Sequence, residues 1–368
     1  MKHFNIVGAG LTGATVARYL VEADSRNTAT VYDSLPHVAG NCHTVLDEHT
    51  GILVHTRGAH IFHTSYEEVW AWVNRFSEWD PYRHTVRTRV RDSVYSMPIN
   101  LHTLNQFFDK SWTPDEAWHR IAGMRVPFDR EPANFEEQAL SLVGEDLYEH
   151  FFKGYTIKQW GRLPTNLPAS VMRRLPVRFN YNDGYFDDTH QAMPRHGYTH
   201  LVERMLDHHS IEVQLNVDVE PRVLTAPVIW TGPVDQYFDY EHGWLGYRTL
   251  DFETCCVPTR DSQGIAVMNY PSESVPYTRV IEHRHFMARP PDVESTLVTY
   301  EHSREAVKGD VLYYPVRLAG EMHALEAYRA LADAETNVYF AGRLGTYSYI
   351  DMDDAIHLAL QLAEVLAS

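Results

Sequence analysis

A strand-like run, Phe4-Asn5-Ile6-Val7, passes directly into Gly8-Ala9-Gly10-Leu11-Thr12-Gly13, and helical spacing of apolar residues begins at Ala14. No other feature of the chain narrows its fold as much. Gly8 permits a tight turn, Gly10 lets backbone approach a pyrophosphate, and Gly13 allows the helix to lie close on the strand. Ala14, Val16, Ala17, Leu20 and Val21 then share a helix face, and a second strand from Thr28 to Tyr32 ends at Asp33. An acid at that position accepts hydrogen bonds from an adenosine ribose. A chance glycine cluster would lack this register of strand, helix and terminal acid, so the segment reads as a dinucleotide-binding βαβ unit.

That unit alone does not separate NAD from FAD. Two features favour FAD. Gly40-Asn41-Cys42-His43 follows the acid closely, where flavoproteins make a second phosphate or flavin contact. Near the end, Phe340-Ala341-Gly342-Arg343 closes a strand, and a helix opens at Asp351-Met352-Asp353. A helix N-terminus aimed at the flavin pyrimidine edge would stabilise the charge of the reduced ring.

The 368 residues suit two or three domains at roughly 150 residues each. Helical spacing runs from Thr64 to Phe76, and alternation from Thr85 to Pro98 predicts a strand pair. Helices dominate from Leu104 to Gln159. Arg162 to Arg178 holds Pro164, Pro168 and Pro176 and reads as a loop around at most one short helix. Short β-rich runs fill Glu212 to Val316 before the terminal strand and helix. The expected fold class is α/β: a Rossmann-like FAD-binding domain with an inserted α-helical domain and an inserted antiparallel β-sheet domain. The FAD-binding domain takes residues 1–80, 185–215 and 317–368. The helical domain takes 100–180 with a mobile lid at 162–178, and the β domain takes 81–99 and 216–316.

A formal net charge of −17 argues against nucleic acid as a partner, since such binding is led by basic patches. No apolar run approaches the ~18 residues of a membrane span, so membrane insertion is not expected. Three cysteines do not suggest a disulfide framework, and the first residues lead straight into a strand rather than a signal peptide, so a cytoplasmic enzyme is expected. His60 and His63 stand three apart, but no third or fourth ligand stands out, and no metal is expected.

Longer motifs carry more information. Gly58-Ala59-His60-Ile61-Phe62-His63-Thr64, Met97-Pro98-Ile99-Asn100 and Phe151-Phe152-Lys153-Gly154-Tyr155-Thr156-Ile157-Lys158-Gln159-Trp160-Gly161 occur in order. Arg174-Leu175-Pro176-Val177-Arg178-Phe179-Asn180-Tyr181, Tyr185-Phe186, Tyr247-Arg248, Tyr313-Tyr314-Pro315 and the run from Gly342 to Asp353 follow. Over nearly its whole length the chain resembles the prokaryotic UDP-galactopyranose mutases.

The resemblance implies a flavin-dependent isomerase that interconverts pyranose and furanose forms of UDP-galactose or a close analogue. In that family reduced FAD, supplied with electrons by an external reductant such as NAD(P)H, forms an adduct between flavin N5 and sugar C1. Arg174 and Arg279 would grip the diphosphate from opposite sides, with Arg174 carried on the lid. Tyr185, Tyr314 and Tyr349 would bind phosphate, and Tyr155, with Phe151, Phe152, Thr156 and Trp160, would recognise the base. His63 would lie beside the flavin and Asp351 near the sugar, so Arg174, Arg279, His63 and Asp351 form the expected catalytic set. Gly8, Gly10, Gly13, Asp33, Gly40, Asn41, His60, His63, Arg248, Gly342, Arg343, Asp351 and Met352 would hold the cofactor. A homodimer is a further expectation of the resemblance.

The chain departs from the family pattern at Asp33, where many relatives have Glu, and at Val38-Ala39-Gly40. Arg57, Ala59 and Ser348 also differ from the usual residues, and these changes bear on the sugar more than on the reaction type. Two other readings share the same N-terminal signature: an FAD-dependent oxidoreductase of the amine-oxidase or desaturase type, and a nucleotide-binding protein without catalysis.

Overall fold

The computed structural model describes residues 1–174, 176–225, 227–316 and 319–368, with the side chains of residues 173, 174 and 319–321 excluded. Five parallel strands build the first sheet, in the order Ile211–Leu215, Thr28–Asp33, His3–Val7, Val228–Trp230, Val338–Phe340. Chain order reverses between His3–Val7 and Val228–Trp230. At such a switch point, ligands bind outside the carboxyl ends of the strands. The helix Leu11–Ala23 buries Leu11, Ala14, Val16, Ala17, Leu20 and Val21 and packs against the terminal helix Met352–Ala367.

A second sheet of seven strands runs in the order Tyr314–Pro315, Tyr247–Val257, Thr296–Glu305, Arg279–Glu282, Val267–Asn269, Val86–Val90, Ser93–Met97. After Ser93–Met97 the chain enters the helical region: Leu101–Phe108, Pro114–Met124 and Phe135–Val143, then a π-helical turn Tyr148–Lys153 running into the helix Gly154–Trp160. Thr113 and Glu116 form a capping box at the head of Pro114–Met124, and Asn134 caps Phe135–Val143. One apolar cluster runs from Phe4 and Ile6 through Phe62, Trp72 and Leu104 to Phe151, joining the parallel sheet to the helices. Among the described residues no helix is long and apolar enough to cross a membrane.

The structure corrects the expected boundaries in four places. Residues 216–316 do not all belong to the β domain, because Val228–Trp230 pairs in parallel with His3–Val7. Three buried residues are too few to display a period, so this central strand left no sequence signal. Nor is the seven-stranded sheet wholly antiparallel, since Val267–Asn269 and Val86–Val90 run side by side. The helix expected from Thr64 spans Glu67–Val73, after a strand Phe62–Thr64 that pairs with His190–Pro194. Segment 162–178 contains two 3-10 helices, Pro164–Asn166 and Ala169–Arg174, rather than at most one. Pro164 occupies the first helical position of one, where its missing N–H costs nothing.

Candidate functional site

Three glycine-containing loops meet at the switch point. Gly8 has a φ of +113°, and a Cβ there would fall 1.9 Å from Thr231 Oγ1. A Cβ on Gly13 would fall 2.0 Å from the Gly8 carbonyl oxygen, so helix and turn touch through bare backbone. Around Gly10, by contrast, a Cβ would meet nothing within 4 Å. Gly10 also caps Leu11–Ala23 without a side-chain acceptor, which leaves the first N–H groups of that helix for an anion. Gly40 packs so that its Cβ would stand 3.7 Å from Gly10 Cα, and Gly342 approaches Thr12. The bare backbone, the unfilled space at Gly10 and the uncapped helix together fit a dinucleotide pyrophosphate.

Other expected cofactor residues turn partly inward. Asp33 Oδ2 accepts from the Ala9 N–H at 2.8 Å and Oδ1 from the Leu35 N–H at 2.9 Å, so this shorter acid also shapes the glycine turn. Ala39 takes a left-handed φ of 74°, a conformation that costs a non-glycine residue about 1 kcal/mol, yet its N–H still reaches the Ala9 carbonyl. Asn41 donates to the Leu312 carbonyl at 3.0 Å. Arg248 is 3% exposed and donates to the carbonyls of Gln159 and Lys158 and to Ser303 Oγ; burial lowers its pKa to about 10. It fastens the end of Gly154–Trp160 to the seven-stranded sheet.

At the terminal helix, Asp351 is the N-cap, and the Asp354 carboxylate accepts from its N–H at 3.4 Å. With Asp353 in the same turn, three carboxylates already answer the helix dipole. The expected helix N-terminus open to a flavin anion is therefore not free of competing charge. Met352 Sδ accepts from the Cys42 thiol at 3.5 Å, and burial pushes that thiol up to about 12.

Arg279 stands at the centre of the second group. Its Nε donates to Glu301 Oε1 at 2.8 Å. Burial alone would lower its pKa, but Glu301 and the oxygens of Tyr155 and Tyr314 outweigh that and hold it well above the ordinary value. The same cation acts on five neighbours. Burial raises Tyr155 to about 12 and raises Tyr185 and Tyr314, with Arg279 opposing each. Burial, with Arg279 adding to it, lowers His60 to about 4 and His84 to about 3. Tyr314 and Tyr349 stack at 5.5 Å, and Arg343 lies 5.7 Å from the first ring and 5.5 Å from the second. Arg343 is itself held by the carbonyls of Ile350 and Tyr313. The structure thus brings Tyr155, Tyr185, Tyr314, Tyr349, His60, Arg279 and Arg343 into one polar cluster.

His63 approaches from the other side. Its Nδ1 donates to Asp188 Oδ2 at 2.8 Å, and its ring stacks on Phe186 at 3.6 Å. Because a carboxylate only accepts, Nδ1 carries the hydrogen of this bond. Tyr185 is delivered by a segment pinned through Arg178, whose Nη2 donates to both oxygens of Asp187 at 3.0 Å.

The expected base region is divided. Phe151 and Phe152 are each 3% exposed, and Phe151 packs edge-on against Tyr95 and Phe107, so both serve the helical core. Thr156 is also buried, whereas Tyr155 and Trp160 keep partial exposure. The side chain of Arg174 lies outside the described residues, and with it the expected lid contact. Four residues near the cluster had no role in the sequence reading: Glu301, His84, Asp188 and Lys158. None of these left a local signal: on the strand Thr296–Glu305 the residues that share a face with Glu301 include Thr299 and Ser303, so no apolar position is broken there.

A family model described as UDP-galactopyranose mutase matches residues 150–349, and one described as NAD(P)-binding Rossmann-like domain matches residues 6–76. A probable UDP-galactopyranose mutase of Klebsiella pneumoniae is 48% identical, spanning 100% of this chain and 95% of that protein. The dTDP-fucopyranose mutase of Escherichia coli is 44% identical, spanning 99% and 98%. Among solved structures, a reduced UDP-galactopyranose mutase superposes with a TM-score of 0.79 at 16% identity, covering 100% of this chain and 94% of that one. A redesigned putrescine oxidase has a TM-score of 0.61 at 11% identity with full coverage of both chains, a likeness of fold alone.

Proposed function

The chain belongs to the UDP-galactopyranose mutase family of isomerases, and on that premise we propose that it interconverts the pyranose and furanose forms of a nucleoside-diphosphate sugar, UDP-galactose or a close analogue. The observation that carries this reading is the placement of Arg279 among Tyr155, Tyr185 and Tyr314, each of which feels its charge. A cation ringed by neutral hydroxyls matches a diphosphate. The arginine answers the charge, and the tyrosines donate hydrogen bonds without adding any. Charge-assisted bonds of roughly 1.5–3 kcal/mol each would hold a departing diphosphate close enough to return.

The cofactor assigned to the Gly8–Gly13 turn is FAD, used in its reduced form. When bound, a reduced flavin supplies a nucleophilic nitrogen to the anomeric carbon. The chain's own residues do the rest. Gly10 and the N–H groups of Leu11–Ala23 hold the pyrophosphate. His60, neutral because burial disfavours its cation, donates Nδ1–H to the Gly58 carbonyl and presents Nε2 as an acceptor. Arg343 keeps the stacked Tyr314 and Tyr349 in place, and the partly exposed Tyr155 offers a ring for the base.

A 6-deoxy sugar on dTDP is the second reading, favoured by the 44% identical relative of that name. Arg57, one of the departures from the family pattern, lies close enough to Tyr313 for its charge to oppose the rise in that phenol's pKa that burial causes. Dithionite-reduced holoprotein incubated separately with UDP-galactopyranose and dTDP-fucopyranose, with products resolved by chromatography, decides between them. Failure to convert either sugar by a protein that holds FAD would end the isomerase reading.

A further inference from the structure

Lys158 lies on the helix Gly154–Trp160, three residues after Tyr155. Its ammonium donates to the carbonyls of Tyr270, Ser272, Val275 and Tyr277 at 2.5, 2.8, 3.0 and 2.8 Å. An ammonium has three hydrogens, so at least one is shared between two of these four acceptors. All four belong to the connection between the strands Val267–Asn269 and Arg279–Glu282, which wraps around the cation. The fit is close elsewhere too, since a Cβ on Gly154 would fall 2.3 Å from the Pro271 carbonyl oxygen. Burial draws the Lys158 ammonium down to about 8, and Glu273 opposes the shift.

This connection leads directly to the diphosphate arginine. Tyr277, whose carbonyl Lys158 holds, is followed by Thr278, whose N–H and Oγ both donate to the Glu301 carbonyl. Next comes Arg279 on the Glu301 carboxylate. The far end of the helix is fixed separately, because Arg248 and Ser303 take the carbonyls of Lys158 and Gln159. Near its C-terminal end the helix is thus tied by backbone to the seven-stranded sheet and by the Lys158 side chain to the loop, so a shift of the helix is felt by the loop.

Resting on the nucleotide-sugar reading above, we propose that Lys158 is a positioning residue: it couples the helix that carries Tyr155 to the loop that delivers Arg279. A base seated on the helix thereby sets the diphosphate grip. Lys158 touches neither base nor phosphate in this account. Its contribution is to make the two halves of nucleotide recognition interdependent.

Hydrogen exchange on the FAD-loaded protein tests this. Uridine and thymidine carry a base but no phosphate, so direct contact with Arg279 is not available to them. At saturating nucleoside, wild-type protein should slow exchange in residues 154–160 and also, at least threefold, in residues 272–277. In Lys158→Gln the helix response should persist while the loop response disappears, and UDP affinity should fall tenfold or more with flavin content unchanged. A wild-type loop that ignores the nucleosides and responds only to UDP or dTDP overturns the proposal, and this arm decides alone should Lys158→Gln not fold. A variant loop that still responds as wild type also overturns it. Wild-type protein that binds no nucleoside, UDP or dTDP removes the underlying nucleotide reading as well, a result separable from the others because it precedes any comparison with the variant.

Discussion

Arg279 and Glu301 face one another as register partners on adjacent antiparallel strands, with Nε 2.8 Å from a carboxylate that is 1% exposed. Two paired strand backbones therefore hold the two residues opposite one another. The carboxylate aims the guanidinium and leaves its terminal N–H groups without a partner among the described residues. Glu301→Gln keeps an acceptor but removes the charge. The expected result is a drop in kcat/KM of roughly 10–100-fold, about 1.4–3 kcal/mol, with flavin content retained. Steady-state kinetics on the reduced enzyme measures it, and an unchanged kcat/KM would deny Glu301 its aiming role.

Arg279→Lys preserves the positive charge and discards the planar fork, which a point charge on a flexible stem does not reproduce. UDP affinity should fall by roughly 10–100-fold, the worth of one or two charge-assisted hydrogen bonds. FAD should remain bound, because the glycine turn lies on a different sheet. Calorimetric titration with UDP measures the loss, and equal affinity in the two proteins would move the diphosphate away from Arg279.

The three glycines of the first turn should fail in different ways. Gly13→Ala drives a methyl to 2.0 Å from a backbone oxygen that has no room to move, so folded yield and thermal stability should collapse. Gly10→Ala meets open space, and the apo protein should unfold at a temperature close to wild type. Its flavin binding should nevertheless be lost or cut at least tenfold, because the methyl enters the space assigned to the pyrophosphate. A Gly10→Ala protein that purifies fully yellow would show that the pyrophosphate lies elsewhere.

Acid should destabilise the fold through buried histidines. Burial holds His60 at about 4, His84 at about 3 and His283 at about 3, against an ordinary value of 6.5. As pH falls below about 6.5 the unfolded chain takes up protons that the folded chain refuses. The stability tied to these groups is thus complete above that pH and is lost as pH falls toward 4 and 3. Each histidine contributes a slope of about 1.4 kcal/mol per pH unit in that window. Thermal unfolding followed from about pH 7.5 to about pH 5 should show a steadily falling Tm. A level Tm over that range would mean that these rings are accessible to protons in the folded state.

Much of the candidate site's geometry was legible in the sequence. The glycine turn announces itself because each of its positions answers a local backbone demand, and the structure confirms close packing at Gly8 and Gly13 and open space at Gly10. Tyr155, Tyr185, Tyr314, Tyr349 and Arg279 were read as a group from their family motifs, and they do converge. Phe151 and Phe152 pack in the helical core, and an aromatic residue reads the same in sequence whether it stacks on a ligand or fills a core. Glu301, Asp188 and Lys158 were missed for a related reason: each acts on a partner at least 22 positions away, and no local pattern records such a pairing.

The sequence by itself determined the dinucleotide-binding turn, the succession of helical and β regions, and the kinds of side chain available to hold a nucleotide sugar. These depend on short-range sterics and on periodicity, which neighbouring residues carry among themselves. Only the tertiary structure decided that Val228–Trp230 completes the parallel sheet, that a buried glutamate aims Arg279, and that Lys158 joins a helix to the loop ahead of that arginine. Those outcomes depend on which distant segments come within about 3 Å, a distance set by the packing of the whole chain.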